Sequence, residues 1–154
     1  MTEEAPAGPQ QPRMTLLLPL THLHPRQSAD DALEGGVAAW TRRVSEAQET
    51  CLVLNERGRV VALSTGCALS LNLDPTTCIG KPLLDLVVLV DFSQTGVPVD
   101  DPDVQLPPLK ALRSGSLARG LIRLRLGRGV LVTYDVVGVP LAGGAGALGF
   151  FSEV

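Results

Sequence analysis

The sequence predicts an α+β fold: an amphipathic helix, then a five-stranded antiparallel sheet with short helical pieces between its second and third strands. Three observations carry this. Leu33, Val37, Trp40, Val44 and Ala47 recur at spacings of four and three, the period of one helical face. Two apolar runs, 51–54 and 59–63, flank Asn55-Glu56-Arg57-Gly58, a tetrapeptide suited to a hairpin turn. From Arg119 to Leu126, Ile122, Leu124 and Leu126 alternate with arginines, as in a strand exposed on one face.

A chain of 154 residues allows one domain with a short extension. With 45% hydrophobic and 19% charged residues, most of it should fold. Only Trp40, Phe92, Tyr134, Phe150 and Phe151 are aromatic, so the core must be aliphatic and platforms for stacked bases are few. The net charge of −3 argues against nucleic acid or a membrane surface as partner. It hides an asymmetry: residues 1–109 carry 7 basic and 14 acidic side chains, and residues 110–154 carry 6 and 2.

Residues 1–27 read as a disordered or irregular tail, rich in Pro and Gln and holding one short apolar patch from Met14 to Leu20. Residues 28–50 read as the amphipathic helix. Ser28-x-x-Asp31 has the form of a helix start, and Asp30, Asp31 and Glu34 lie where the helix dipole favours them. Gly35 and Gly36 weaken that helix by about 1 kcal/mol each relative to Ala.

Residues 51–154 form the main domain. Helical pieces are expected at 66–73, 75–79 and 82–88, and a loop over 93–106. A further helix opens at Pro107 or Pro108 and ends at Ser114-Gly115. Gly127-Arg128 is read as a two-residue turn into a Val-rich strand reaching Pro140, and 142–146 as the turn into the last strand.

Few residues offer chemistry. Cys51, Cys67 and Cys78 make neither a disulfide framework nor a CxxC pair, and buried thiols are the ordinary reading. His22 and His24 are the only histidines and precede the domain, which removes a His-based catalytic pair or zinc site from it. Gly144, Gly146 and Gly149 spell GxGxxG, but no helix follows to face a pyrophosphate, so a hairpin turn is expected. Asp100, Asp101 and Asp103 lack the later Glu of a calcium loop, and Asp85 and Asp135 read as isolated carboxylates. No catalytic or metal-binding residue is therefore expected, and no enzyme. Acidic residues at the N-terminus and the want of a long apolar run point to a cytoplasmic protein without membrane contact.

Arg119, Arg123 and Arg125 share one strand face, with Arg128 in the turn beyond. Two readings stay open: a patch that docks an acidic partner, or charges that guard an edge strand against pairing.

Four segments in register resemble a PAS domain: CLVLNERGRVVALS, LSLNLDPTTCIGKPLLDLV, LKALRSG and YDVVGVPLAGGAGALGFFSEV. The resemblance implies a PAS-like five-stranded sheet in the order 2-1-5-4-3, with the short helices on one face. It also implies a stand-alone sensory or interaction domain, cytoplasmic and non-catalytic. Its pocket would lie between sheet and helices, lined by Leu69, Leu73, Ile79, Leu86, Leu112, Ile122 and Tyr134. A small apolar ligand fits that expectation. Haem does not, since the domain lacks His, nor does flavin, since TGCALS and TTCIGK match the family's reactive-Cys motif poorly. Expected partners are a second copy or a regulatory protein such as a kinase or transcription regulator. The stripe Leu33, Val37, Trp40 and Val44 would serve either as a dimer interface or as cover for the sheet. The alternative function is a ligand-free partner subunit of a regulatory complex, its pocket filled by its own side chains.

Overall fold

The computed structural model describes residues 33–154. Helix α1 (Val37–Ser45) leads into β1 (Cys51–Asn55) and β2 (Val60–Leu63). Then come α2 (Thr65–Ser70), α3 (Pro75–Cys78), a 3₁₀ turn (Leu83–Asp85) and β3 (Val88–Val90). Helices α4 (Pro102–Gln105) and α5 (Pro107–Ser114) precede β4 (Ala118–Arg125), β5 (Leu131–Pro140) and β6 (Gly146–Glu153). The strands form one antiparallel sheet in the order β2-β1-β6-β5-β4-β3.

The expected hairpin is present. Asn55 Oδ1 accepts from the amides of Arg57 and Arg59, while Gly58 takes the positive φ of 75° that closes the turn. Helix α5 ends at Gly115 in the left-handed conformation, as the Ser-Gly pair predicts.

Alternation along the strands divides the apolar residues between two cores. On the inner face, Leu52, Leu54, Leu89, Ile122, Leu124, Tyr134, Val136 and Phe151 pack with Cys67, Leu71, Leu83 and Leu106 from the connecting segments. On the outer face, Val53, Val137, Val139, Leu148 and Phe150 pack with Leu33, Trp40 and Val44. The central strand β1 is buried on both faces, as its uninterrupted apolar run requires.

Gly138 and Gly149, paired across β5 and β6, cut a notch in the inner face. The start of α5 sits in it so closely that a Cβ on Gly138 would lie 2.2 Å from the Pro107 carbonyl oxygen, and one on Gly149 2.7 Å from Pro108 Cγ.

Four expectations need correction. The sheet has six strands, because Val88–Val90 leaves the expected 82–88 helix and pairs with β4; strand 119–126 is therefore not an edge. Without β3, the order is the one expected. The first helix does not start near residue 30: Leu33 is extended, hydrogen-bonding Pro140 and Ala142 through its backbone, and Gly35 turns at φ 94°. The helix begins after Gly36, with no side-chain cap; Ser28–Asp31 lies outside the described residues. The 93–106 loop contains the single turn α4. The β4–β5 turn spans 126–130, with the Leu126 amide bonded to the Val130 carbonyl and Arg128 at φ 68°.

Candidate functional site

The seven residues expected to line a pocket do not converge on one. Ile122 and Tyr134 are buried inside the inner core, and Leu73 and Leu86 pack against it. Leu69 and Ile79 point outward, Leu69 being 77% exposed, because the short α2 and α3 turn their other faces, Cys67, Ala68 and Cys78, toward the sheet. Leu112 lies on α5 beside an outer cleft. The Tyr134 hydroxyl, the expected polar handle, donates to the Ser70 carbonyl at 2.9 Å and lies 3.1 Å from its hydroxyl oxygen. Its ring packs edge-on against Phe151 at 5.9 Å. The space between sheet and helices is thus occupied by the chain's own side chains.

Ser64 ties this layer together. Buried completely, it accepts from the amides of Cys51 and Cys67, donates to the Glu49 carbonyl, and so caps α2 onto β1. The three cysteines are free thiols in the interior. Burial pushes the Cys51 thiol up to about 11 and also raises Cys67 and Cys78, which suppresses the thiolate needed for redox or nucleophilic chemistry.

The arginine face of β4 is not an open row. Arg119 makes a two-pronged ion pair with Asp135, at 2.6 and 3.1 Å, so Asp135 is not isolated as its sequence neighbours suggest. Arg123 donates to the carbonyls of Asp91 and Ser93, and Arg125 to those of Thr95 and Gly96. The 91–97 loop therefore lies across the outer face of β3 and β4. Buried Gly96, at φ 73°, sits against Leu131 and Val90, where a Cβ would lie 3.0 Å from a Leu131 methyl carbon. Arg128 stands exposed in the turn.

Asp91 holds the loop in shape from within. Its Oδ1 accepts from the Ser93 hydroxyl and from the amides of Ser93 and Val97. The Ser93 hydroxyl bond, then the two amides and nearby Arg123, hold the carboxyl below the usual carboxylate range. A depressed carboxylate stabilises its folded form above its unfolded value of about 3.9 and loses that contribution as pH falls through the lower folded value. Hydrogen exchange at Ser93 and Val97, corrected for intrinsic rates, should therefore stay slow from neutral pH to about pH 5 and quicken below about pH 4. Asp91→Ala should exchange fast throughout. Unprotected amides at neutral pH in the wild type would contradict the loop geometry.

The stripe Leu33, Trp40 and Val44 is buried against the sheet within one chain, with Val37 half-buried beside it. On the opposite side a cleft of about 380 Å³ opens between the β1–β2 turn, the 3₁₀ turn and α5. Leu83, Leu84, Leu109 and Leu112 form its apolar wall, and Arg57, Glu56 and the Arg113–Asp103 ion pair its rim. Asp103 is accordingly a structural partner of Arg113, not one of three loose oxygen ligands. Among the described residues no cluster of His, Cys, Asp or Glu could hold a metal ion; His22 and His24 lie outside them. Among those residues no helix is long and apolar enough to cross a membrane.

No protein-family model matches the sequence, and no curated protein does. Solved structures do. The chain is similar to the PAS domain of a protein from Colwellia psychrerythraea, at 16% identity and TM-score 0.55 over 76% of this chain and 95% of that one. The fold is that of a PAS domain. A domain of a sensory box sensor histidine kinase/response regulator from Geobacter sulfurreducens is similar at 13% identity and TM-score 0.53, over 75% and 91% of the two chains. A fungal LOV domain photoreceptor is similar at 16% identity and TM-score 0.56, over 94% and 92%. Beyond the five strands that the sequence resemblance implies, this chain has β3 and the loop that follows it. No single motif could have shown that loop, because its partners, Arg123 and Arg125, are some thirty positions away.

Proposed function

We propose that this PAS-fold chain is a contact-signalling module: it engages a regulatory protein, such as a kinase or transcription regulator, through its surface and holds no ligand between sheet and helices. The observation that carries this is the filled interior, where Leu71, Leu83, Leu106, Leu124, Tyr134 and Phe151 pack together and the one phenol there is spent on Ser70. Flavin and haem do not fit such a core. The described residues contain no His to ligate haem iron. A non-catalytic role fits these groups: Asp103 and Asp135 are held by arginines, and burial raises the thiol pKa values. The similar domain from a Geobacter sensor histidine kinase/response regulator supports a regulatory partner. A partner shifts the module only through unequal affinity for two of its states.

The outer cleft favours a second reading, in which a small apolar ligand rests on Leu84, Leu109 and Leu112. Native and denaturing mass spectra of the purified protein separate the two. The contact module should show the bare polypeptide mass under denaturing conditions, and that mass or a whole multiple of it under native ones. Extra mass lost on denaturation would overturn the ligand-free reading and give the ligand's mass.

A further inference from the structure

Of the five aromatic residues, four are buried to 4% exposure or less; Phe92 is 60% exposed. An aromatic side chain left in water forgoes its burial free energy, and here it stands on a loop that is far from slack. Asp91 gathers three donors of the 91–97 loop onto one carboxylate oxygen. Arg123 and Arg125 grip four of the carbonyls between Asp91 and Gly96. A loop fixed in this way loses little conformational freedom when a partner covers it, and that freedom is a main cost of association. Val97, at 52% exposure, adjoins it in the chain, and Val130, at 53%, belongs to the β4–β5 turn beside it.

Arginines outnumber carboxylates around this tip. Arg123 and Arg125 each carry five N–H donors and spend only part of them on loop carbonyls, which are neutral. Arg128 is exposed in the neighbouring turn. Against these three guanidiniums stand Asp91, already occupied by its own loop, and, further along the same sheet face, Asp135, held by Arg119. Arginines satisfied by carbonyls still gain from a carboxylate, because charge-assisted hydrogen bonds are the stronger kind.

We infer that Phe92, with exposed Val97 on the same loop, the arginines Arg123 and Arg125 that brace it, and Val130 and Arg128 exposed in the β4–β5 turn, is the docking surface of the module, and that its partner is a protein with an apolar pocket rimmed by carboxylates. This rests on the contact-module reading and names its surface and partner chemistry. The loop presents the anchor, and the arginines both brace the loop and supply attraction for the acidic rim.

The test places the photo-crosslinking residue p-benzoylphenylalanine at position 92 of the full chain, and in parallel at position 69, whose Leu is 77% exposed on the helical side. The adduct formed in the native host is identified by mass spectrometry, and the protein found is purified and titrated against wild type, Phe92→Ala and Leu69→Ala. The expected result is an adduct at 92, binding weakened about tenfold or more by Phe92→Ala and less than about twofold by Leu69→Ala, at unchanged melting temperature. Wild-type binding should also weaken as salt rises from about 50 to about 300 mM. Equal affinity of Phe92→Ala and wild type, or binding indifferent to salt, would overturn the proposal, as would an adduct only with a second copy. An adduct at 69 but not at 92 would overturn this surface while leaving the contact module standing; the contact module itself fails on a co-purified ligand in the mass spectra.

Discussion

Gly138→Ala is expected to destabilise the domain by about 3 kcal/mol or more, the upper end of what one added methyl group does in a packed core. The new Cβ would lie 2.2 Å from the Pro107 carbonyl oxygen, 2.5 Å from its carbon and 2.7 Å from Pro108 Cα. These are backbone atoms of a helix start already buried on the sheet, so no side chain can swing away to relieve the overlap. Either α5 rises off β5 and β6, opening the inner core beneath it, or β5 bends. The φ of Gly138 is ordinary, so the effect comes from space alone. Gly120→Ala is the control. It changes the same residue type in the adjacent strand, where a Cβ would meet nothing within 4 Å, and should be neutral or stabilising by up to about 1 kcal/mol. Urea unfolding of the two variants checks this; equal midpoints would mean that the notch does not hold α5 as described.

Trp40→Ala should cost about 3–5 kcal/mol, the usual range for removing a buried large aromatic. Trp40 is 4% exposed among Val44, Val53 and Phe150, its indole nitrogen donates to the Glu34 carbonyl at 2.9 Å, and Arg43 lies over its ring at 4.7 Å. Losing it leaves a hole over the centre of the outer face and frees the turn between Leu33 and α1. The same variant decides what the stripe is for. If the stripe covers the sheet within one chain, stability falls and the mass measured by light scattering equals that of wild type. Should the mass fall while stability holds, the stripe belongs between copies instead.

What the sequence revealed followed the chemistry of single residues and strong periods. Asn55 and Gly58 announce their turn, Gly115 its helix end, and the alternation in 119–126 correctly separates Ile122 and Leu124 from the arginines. What it hid needed information from elsewhere in the chain. Three residues of β3 are too few to show a period inside the apolar run 83–90, and only pairing with β4 makes them a strand. Parity put Arg123 and Arg125 on the outer face, yet it carries nothing about a loop folding over them. The pocket failed at Leu69 and Ile79 because helices of six and four residues have no stripe long enough to fix their rotation. The residue spacing continues through Leu33 and so extends the N-terminal helix too far back, whereas Gly35, at φ 94°, takes Leu33 out of it.

Both lateral margins of the sheet are partly covered. At β2, Val60 exchanges backbone hydrogen bonds with Gly80 and Lys81, and Arg59 bridges to Pro82. At β3, the returning 97–99 segment bonds to Leu89 and Asp91, with Pro98 bridging Val90. Each margin is thus hemmed by a stretch of the chain itself that contributes a proline, the one residue without an amide to offer an incoming strand. A copy adding its strand to this sheet would meet one hem at Arg59 and Val60 and the other along 89–91. The segment 97–99 serves two ends at once, since Val99 also packs against the inner core.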